Sequence, residues 1–186
     1  MKKSFLRVSD EITLHPPYQA YAKSIFAMVN AQRSYLGQWL PWVHDTLTVT
    51  NTEDFLKLAF RLNQGQQQLN SIIFYKEALA GSISLIKVDQ EHKMAEMGYW
   101  LSQDLQGKGI ITKAAKAMIT HSFAVRQLNR IEIRVAKDNF KSKAIPQRLG
   151  FQLEGTLREC YRMDDGFVDL EVYGLLRKEW VGVTTS

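Results

Sequence analysis

Tyr99-Trp100-Leu101-Ser102-Gln103-Asp104-Leu105-Gln106-Gly107-Lys108-Gly109-Ile110 runs from a strand-like stretch through a glycine turn into a helical pattern. Gly107 and Gly109 can take positive φ and let the backbone close around an anion, while the free amides and dipole of the first helical turn favour negative charge. Lys108 and Lys113 add positive charge nearby. Two glycines alone would equally suit an ordinary turn, so the flanking pattern has to decide. Two familiar phosphate loops fail by counting. The G-x-x-x-x-G-K-(S/T) loop needs Ser or Thr after its lysine, but Gly109 follows Lys108. A dinucleotide G-x-G-x-x-G begun at Gly107 meets Thr112 in its last glycine place.

Upstream of this loop, residues 71–75, 78–88 and 93–102 are rich in β-branched and aromatic side chains and divided by polar turns, which predicts an antiparallel meander. Downstream, Ile111, Ala114, Ala115, Met118, Ile119 and Phe123 repeat at helical spacing, and a strand follows over 130–136. Strand, helix and strand in that order make a crossover, which calls for a parallel pair. A short helix is expected over 142–149, closed by Gly150, and two last strands over 151–163 and 167–176 meet at Asp165-Gly166. The N-terminal third is helical instead. Ala22, Ile25, Phe26 and Val29 mark one helix, and Thr50 with Glu53 three residues on reads as a capping box before Phe55, Leu56, Ala59 and Leu62. Between these helices Gly37 and Pro41 predict a packed loop or a broken helix. The fold class is α/β: a mixed, mostly antiparallel central sheet flanked by helices, with one parallel crossover at the glycine loop.

The 186 residues suit one core and are short for two, and 45% hydrophobic against 23% charged is a globular balance. A net charge of +5 is too small and dispersed to mark a nucleic-acid binder and fits attraction of small anions. Cys160 is the sole cysteine, which excludes an intramolecular disulfide and a cysteine zinc site. His15, His44, His92 and His121 lack metal-ligand spacing, so no metal is expected. Residues 1–10 lack the apolar run of a leader, no window approaches the roughly 20 apolar residues of a membrane span, and a cytoplasmic protein is expected.

Asp104 to Gly109 matches the glycines of the loop Arg/Gln-x-x-Gly-x-Gly/Ala, and Asn139 through Gly150-Phe151 keeps the spacing of N-x-x-A-x-x-x-Y-x-x-x-G-F, with Ser142 and Pro146 at the intermediate places. On these two segments the chain resembles the GNAT superfamily of acyl-CoA-dependent N-acetyltransferases. Ala95-Glu96-Met97-Gly98-Tyr99-Trp100 and the closing stretch from Leu153 to Trp180 bring it near the branch of bacterial ribosomal-protein-serine and ribosomal-protein-alanine N-acetyltransferases. Asp104, in place of Arg or Gln, and Pro146, in place of Tyr, depart from the pattern.

The resemblance implies one domain over 1–186, acetyl-CoA as donor, a primary amine as acceptor, often a protein N-terminus of the ribosomal-protein type, and a homodimer with no membrane or nucleic-acid partner. A CoA-binding sensor without transfer activity is the alternative. By the same resemblance the strand through Trp100 and Leu101 offers its backbone to the pantetheine arm. Gln106, Gly107, Lys108, Gly109, Ile110, Ile111 and Thr112 hold the pyrophosphate, and Asn139 and Ser142 complete the donor site. Ser142 reads either as a hydrogen-bond donor to the leaving thiolate or as a helix cap. Glu96 reads either as the general base or as an ion-paired or exposed strand glutamate, with Glu159 as runner-up. Tyr35, Trp39 and Trp42 line an acceptor pocket or pack the core. Cys160 is expected to be a packed thiol and His121 a packing or surface residue.

Overall fold

The computed structural model describes residues 5–181; the expected domain over 1–186 and the expected leader-free start include positions 1–4 and 182–186, which lie outside the described residues. In chain order the elements are β1 (Leu6–Arg7), β2 (Ile12–His15), α1 (Ala22–Ala31), α2 (Arg33–Gly37), α3 (Trp42–Asp45), α4 (Val49–Gln64), β3 (Leu69–Tyr75), β4 (Ala78–Asp89), β5 (Met94–Leu101), α5 (Ile110–Ala124), β6 (Arg130–Ala136), α6 (Phe140–Arg148), β7 (Gln152–Met163) and β8 (Gly166–Leu176). The eight strands form one sheet in the order β1-β2-β3-β4-β5-β6-β8-β7. Every neighbouring pair is antiparallel except β5 and β6, which α5 joins in parallel. The expected meander, crossover and mixed sheet are all present.

Alternation along the central strands divides the molecule into two layers. Ile131, Ile133 and Val135 of β6 and Met97 of β5 face α5, whose Ala114, Ala115, Met118, Ile119 and Phe123 complete one core. On the opposite face Ala22, Ile25 and Val29 of α1 pack with Leu36, Val43, Leu56 and Ile72. The segment around Gly37 and Pro41 is a broken helix, α2 then α3, and a side chain at position 37 would run into the His44 ring.

Three local expectations shift. The capping box of α4 is Thr48 with Asn51, two residues before the expected one: the Asn51 N–H donates to Thr48 Oγ1 at 3.3 Å, and the Asn51 side chain accepts from the Thr48 N–H at 2.9 Å. Thr48 is extended, so the helix is already under way at Thr50. Phe55 consequently points outward at 58% exposure, while Leu56 is buried. At the last hairpin Met163 pairs with Gly166, so the turn residues are Asp164 and Asp165 and Gly166 opens β8.

Candidate active site

Parallel pairing of β5 with β6 stops after three residues: Met94, Ala95 and Glu96 pair with Arg130, Ile131 and Glu132, and beyond them the strands part. Met97 to Leu101 remain bonded to β4 on one side only, and Ile133 to Ala136 remain bonded to β8. The wedge between them opens into a cavity of about 1040 Å³, lined by both strands, by the loop from Leu105 to Gly109, by the start of α5 and by α6. One edge of β5 therefore presents peptide groups to an occupant of the wedge.

At its outer end the glycine loop behaves as its composition predicts. Gly107 and Gly109 have φ of 74° and 70°, and a Cβ on either would project into open space. Gly109 caps α5 without a side-chain bond. The first intrahelical bond recorded from this turn is Lys113 N–H to the Gly109 carbonyl at 3.0 Å, which leaves the amides of Ile110, Ile111 and Thr112 directed out of the helix end. All three residues line the cavity, as do the cationic Lys113, Lys141 and Arg148. These donors and charges fit a diphosphate. The loop is tied on both sides. Gln32 beyond α1 donates to Ser102 Oγ at 2.8 Å and accepts from the Gln103 N–H at 2.8 Å, while Gln106 accepts from Lys141 at 2.9 Å and donates to the Tyr35 hydroxyl. Lys108 departs from expectation. Its ammonium lies 5.9 Å from the Tyr75 ring centroid and its side chain is not part of the lining, so only its backbone belongs to the loop.

Glu96 stands at the vertex of the wedge, on the face that carries the N-terminal helices. Its Oε2 is 2.7 Å from Lys87 Nζ and 3.6 Å from Arg134 Nε, and its side chain is 17% exposed. No hydrogen bond or ion pair involves Oε1 among the described residues. Arg134 also binds Glu132 at 2.6 Å, and Arg130 joins Glu132 to Glu154 over Gly174, where any side chain would collide with the pair. Burial pushes the Glu132 carboxyl up, but the bonds and charges of Arg134 and Arg130 outweigh it and hold it below the ordinary carboxylate range. Glu96 is thus both ion-paired and cleft-lining. Glu159, the runner-up, is exposed in an irregular part of β7 with φ of 46°, away from the lining.

Ser142 is the third residue of α6 and not its cap. Asn139 is the cap, accepting from the Ser142 N–H at 3.1 Å, because its side chain reaches the free amide of the first turn. Both residues line the cavity, and the Ser142 hydroxyl lies 3.4 Å from the Tyr99 hydroxyl. Asn139→Ala is expected to cost about 1 kcal/mol, a fall of about 2–4 °C in melting temperature for a chain of this size, read by thermal denaturation.

Tyr35 and Trp39 line the wall beside Glu96, with Leu36, Leu40 and, from β7, Tyr161. Burial raises the Tyr35 phenol against the opposing bond from Gln106. Burial raises that of Tyr161 too, and the charge of Glu96 adds to it. Trp42 is not part of the lining: it is 38% exposed and packs its ring 6.2 Å from that of Trp100, backing the wall from outside. His44 of α3 meets Asp164 at the hairpin tip at 3.0 Å, joining the two sides of this wall. Cys160, expected to be packed, is exposed on the edge strand. His121 packs edge-on against Phe5, and burial followed by Arg126 lowers its pKa. Among the described residues no three His, Cys, Asp or Glu side chains are grouped to hold a metal.

Sequence reading did not find Gln32, Tyr99, Arg134 or Tyr161. Alternation of Arg130, Glu132 and Arg134 with isoleucines was the available signal for Arg134, since it marks a charged face beside Glu96.

A splayed parallel pair whose mouth carries a glycine-capped helix start defines a cleft built for an elongated ligand with a diphosphate at one end. The chain belongs to the Acetyltransferase (GNAT) domain family, which matches residues 11–152. It is 34% identical, over 95% of its length and 97% of the relative's, to a Bacillus subtilis (strain 168) protein provisionally named ribosomal N-acetyltransferase YdaF. It is 30% identical to the ribosomal-protein-serine acetyltransferase of Escherichia coli (strain K12), over 90% and 94% of the two chains. Among solved structures, the microcin C7 self-immunity acetyltransferase MccE in complex with acetyl-CoA and AMP superposes with a TM-score of 0.89 at 30% identity, covering 93% of this chain and 96% of that one. The protein is an acetyl-CoA-dependent N-acetyltransferase related to ribosomal-protein acetyltransferases.

Proposed function

We propose that the enzyme acetylates the N-terminal amine of a protein or peptide, of the ribosomal-protein type, by direct attack on the thioester. The supporting observation is that Glu96 and Ser142 line one wedge from opposite faces of the sheet, Ser142 through its contact with Tyr99 on the α5 face. The amides of Ile110, Ile111 and Thr112 hold the diphosphate, the free edge of β5 through Trp100 and Leu101 and the amide of Asn139 hold the pantetheine arm, and Tyr35 and Trp39 flank the acceptor. Glu96 Oε1 takes the proton lost as the nitrogen–carbon bond forms. Ser142 gives a hydrogen bond to the sulfur as the carbon–sulfur bond breaks, and the free thiolate is protonated by solvent.

Charge selects among acceptors. Beside the acceptor the cavity carries Glu96, its one carboxylate among the described residues, with Arg134 Nε at 3.6 Å, while Lys113, Lys141 and Arg148 stand with the diphosphate; a single, already paired carboxylate is too little anionic charge to favour a polyamine over a monoamine. In this reading residues 1–186 act as one domain, because β7 and β8, mostly beyond the matched segment, complete the sheet that carries the wedge. The enzyme acts in the cytoplasm as a homodimer, for which Leu153, Leu157 and Phe167 on the edge hairpin supply exposed apolar surface, without a nucleic-acid or membrane partner. A screen following free thiol with N-terminal peptides, polyamines and small aminated metabolites tests it. Turnover is expected with peptides beginning in Ser or Ala. Turnover confined to polyamines overturns the acceptor, and acetyl-CoA binding with no turnover on any amine favours the sensor.

A further inference from the structure

Pro146 lies inside α6, where a proline has no N–H to give to the carbonyl four residues earlier, that of Ser142. That carbonyl has a partner nonetheless. The Tyr99 hydroxyl, from β5 across the wedge, donates to it at 3.1 Å. The same phenolic oxygen lies 3.4 Å from Ser142 Oγ, at which distance the serine hydroxyl donates to it. Burial drives the Tyr99 phenol far above its ordinary pKa, against the opposing bond to Ser142, so it keeps its proton at any working pH. With that proton committed to the carbonyl, the phenolic oxygen faces Ser142 only as an acceptor.

We propose that Pro146 and Tyr99 form one positioning device for Ser142: the proline leaves the carbonyl open, the tyrosine fills it, and the phenolic oxygen is thereby fixed where it holds the serine hydroxyl at the cleft wall. The long bond to Ser142 Oγ is weak and is given up cheaply when charge develops on a nearby sulfur. The device also accounts for a proline in a helix interior, since the backbone bond it forfeits is replaced by one from a different strand. This inference rests on the reading of Ser142 as the group that serves the leaving thiolate.

Four variants test it: Tyr99→Phe, Tyr99→Phe with Pro146→Ala, Ser142→Ala, and Ser142→Ala with Tyr99→Phe. Tyr99→Phe is expected to lower the melting temperature and to lower kcat about two- to threefold, the low end for one neutral hydrogen bond as its length of 3.4 Å requires, with the KM for acetyl-CoA unchanged. Adding Pro146→Ala restores the melting temperature, because the alanine N–H now satisfies the Ser142 carbonyl, but kcat stays low because nothing faces the serine hydroxyl. Adding Tyr99→Phe to Ser142→Ala costs no further turnover. Recovery of kcat together with melting temperature in the Pro146→Ala background, or losses from Tyr99→Phe and Ser142→Ala that multiply, overturns the device. So does unchanged turnover in Tyr99→Phe beside an impaired Ser142→Ala, and that pair leaves the role of Ser142 standing. Wild-type turnover in Ser142→Ala overturns the role of Ser142 and the device with it.

Discussion

Gly109→Val is expected to raise the dissociation constant for acetyl-CoA by about 100-fold or more, because two or three charge-assisted bonds worth roughly 1.5–3 kcal/mol each are lost. Two effects act at this position. Gly109 has a φ of 70°, a conformation that a β-branched residue adopts only under strain of about 1–3 kcal/mol. Relief of that strain swings the peptide that starts α5 and turns the amides of Ile110, Ile111 and Thr112 off target. If the backbone holds instead, the valine methyls project into the open space at the start of the helix, into the room that the proposed diphosphate site needs. Either route removes the anion site. The position is exposed, so folding survives with a melting temperature lower by a few degrees. Lys108→Ala is the contrast: its ammonium is turned toward Tyr75, and affinity is expected to change by less than about threefold, as for an exposed charge. Titration calorimetry on the two variants separates a loop that works through its backbone from one that works through its lysine. Equal losses, or an unaffected Gly109→Val, would remove the glycine turn from donor binding.

The glycine turn was legible because positive φ and a helix start leave marks at single positions, and the meander and crossover were legible because period and order are local properties. What the sequence could not display is where hydrogen bonding between β5 and β6 stops. Nothing in Met97 to Leu101 differs in composition from a paired strand, and the wedge exists only because these two neighbours are held apart by what each is bonded to on its other side. Ser142 was found with two readings open, cap or hydrogen-bond donor, since Asn139, Ser142 and Pro146 can all begin or break a helix and only geometry shows that Asn139 reaches the free amide and is the cap. Tyr99 was hidden in a motif read for its backbone, with its partner 43 residues away. Lys87 reaches Glu96 from an irregular stretch of β4, at a φ of 48°, which a lysine gives no reason to expect. Cys160 was placed inside by residue type, but β7 is an edge strand with irregular pairing between Leu157 and Tyr161, and most of its residues face solvent on either side.

Glu96→Gln is expected to lower kcat by about 100-fold at pH 6.5, at the lower end of what a positioned general base contributes. The sign of its pH dependence follows from the acceptor. An α-amine has a pKa near 7.7–8.0, so at pH 6.5 most of it is ammonium and a proton has to leave before or during attack. Above that pKa the neutral amine is abundant and the base matters less, so the deficit narrows to about tenfold by pH 9. The glutamine keeps size, shape and one acceptor oxygen, and acetyl-CoA affinity is expected to be unchanged because the proposed diphosphate and pantetheine contacts lie on other residues. Lys87 sharpens the test. It holds Oε2 at 2.7 Å, and the same ammonium can hold the glutamine oxygen, so the side chain stays in place and the variant loses basicity without losing position. A ratio of wild-type to variant rates that stays constant from pH 6.5 to 9 would mean that Glu96 orients the amine without taking its proton. A ratio near one throughout would leave the wedge with no side-chain base, and the ammonium would have to lose its proton to water before entering.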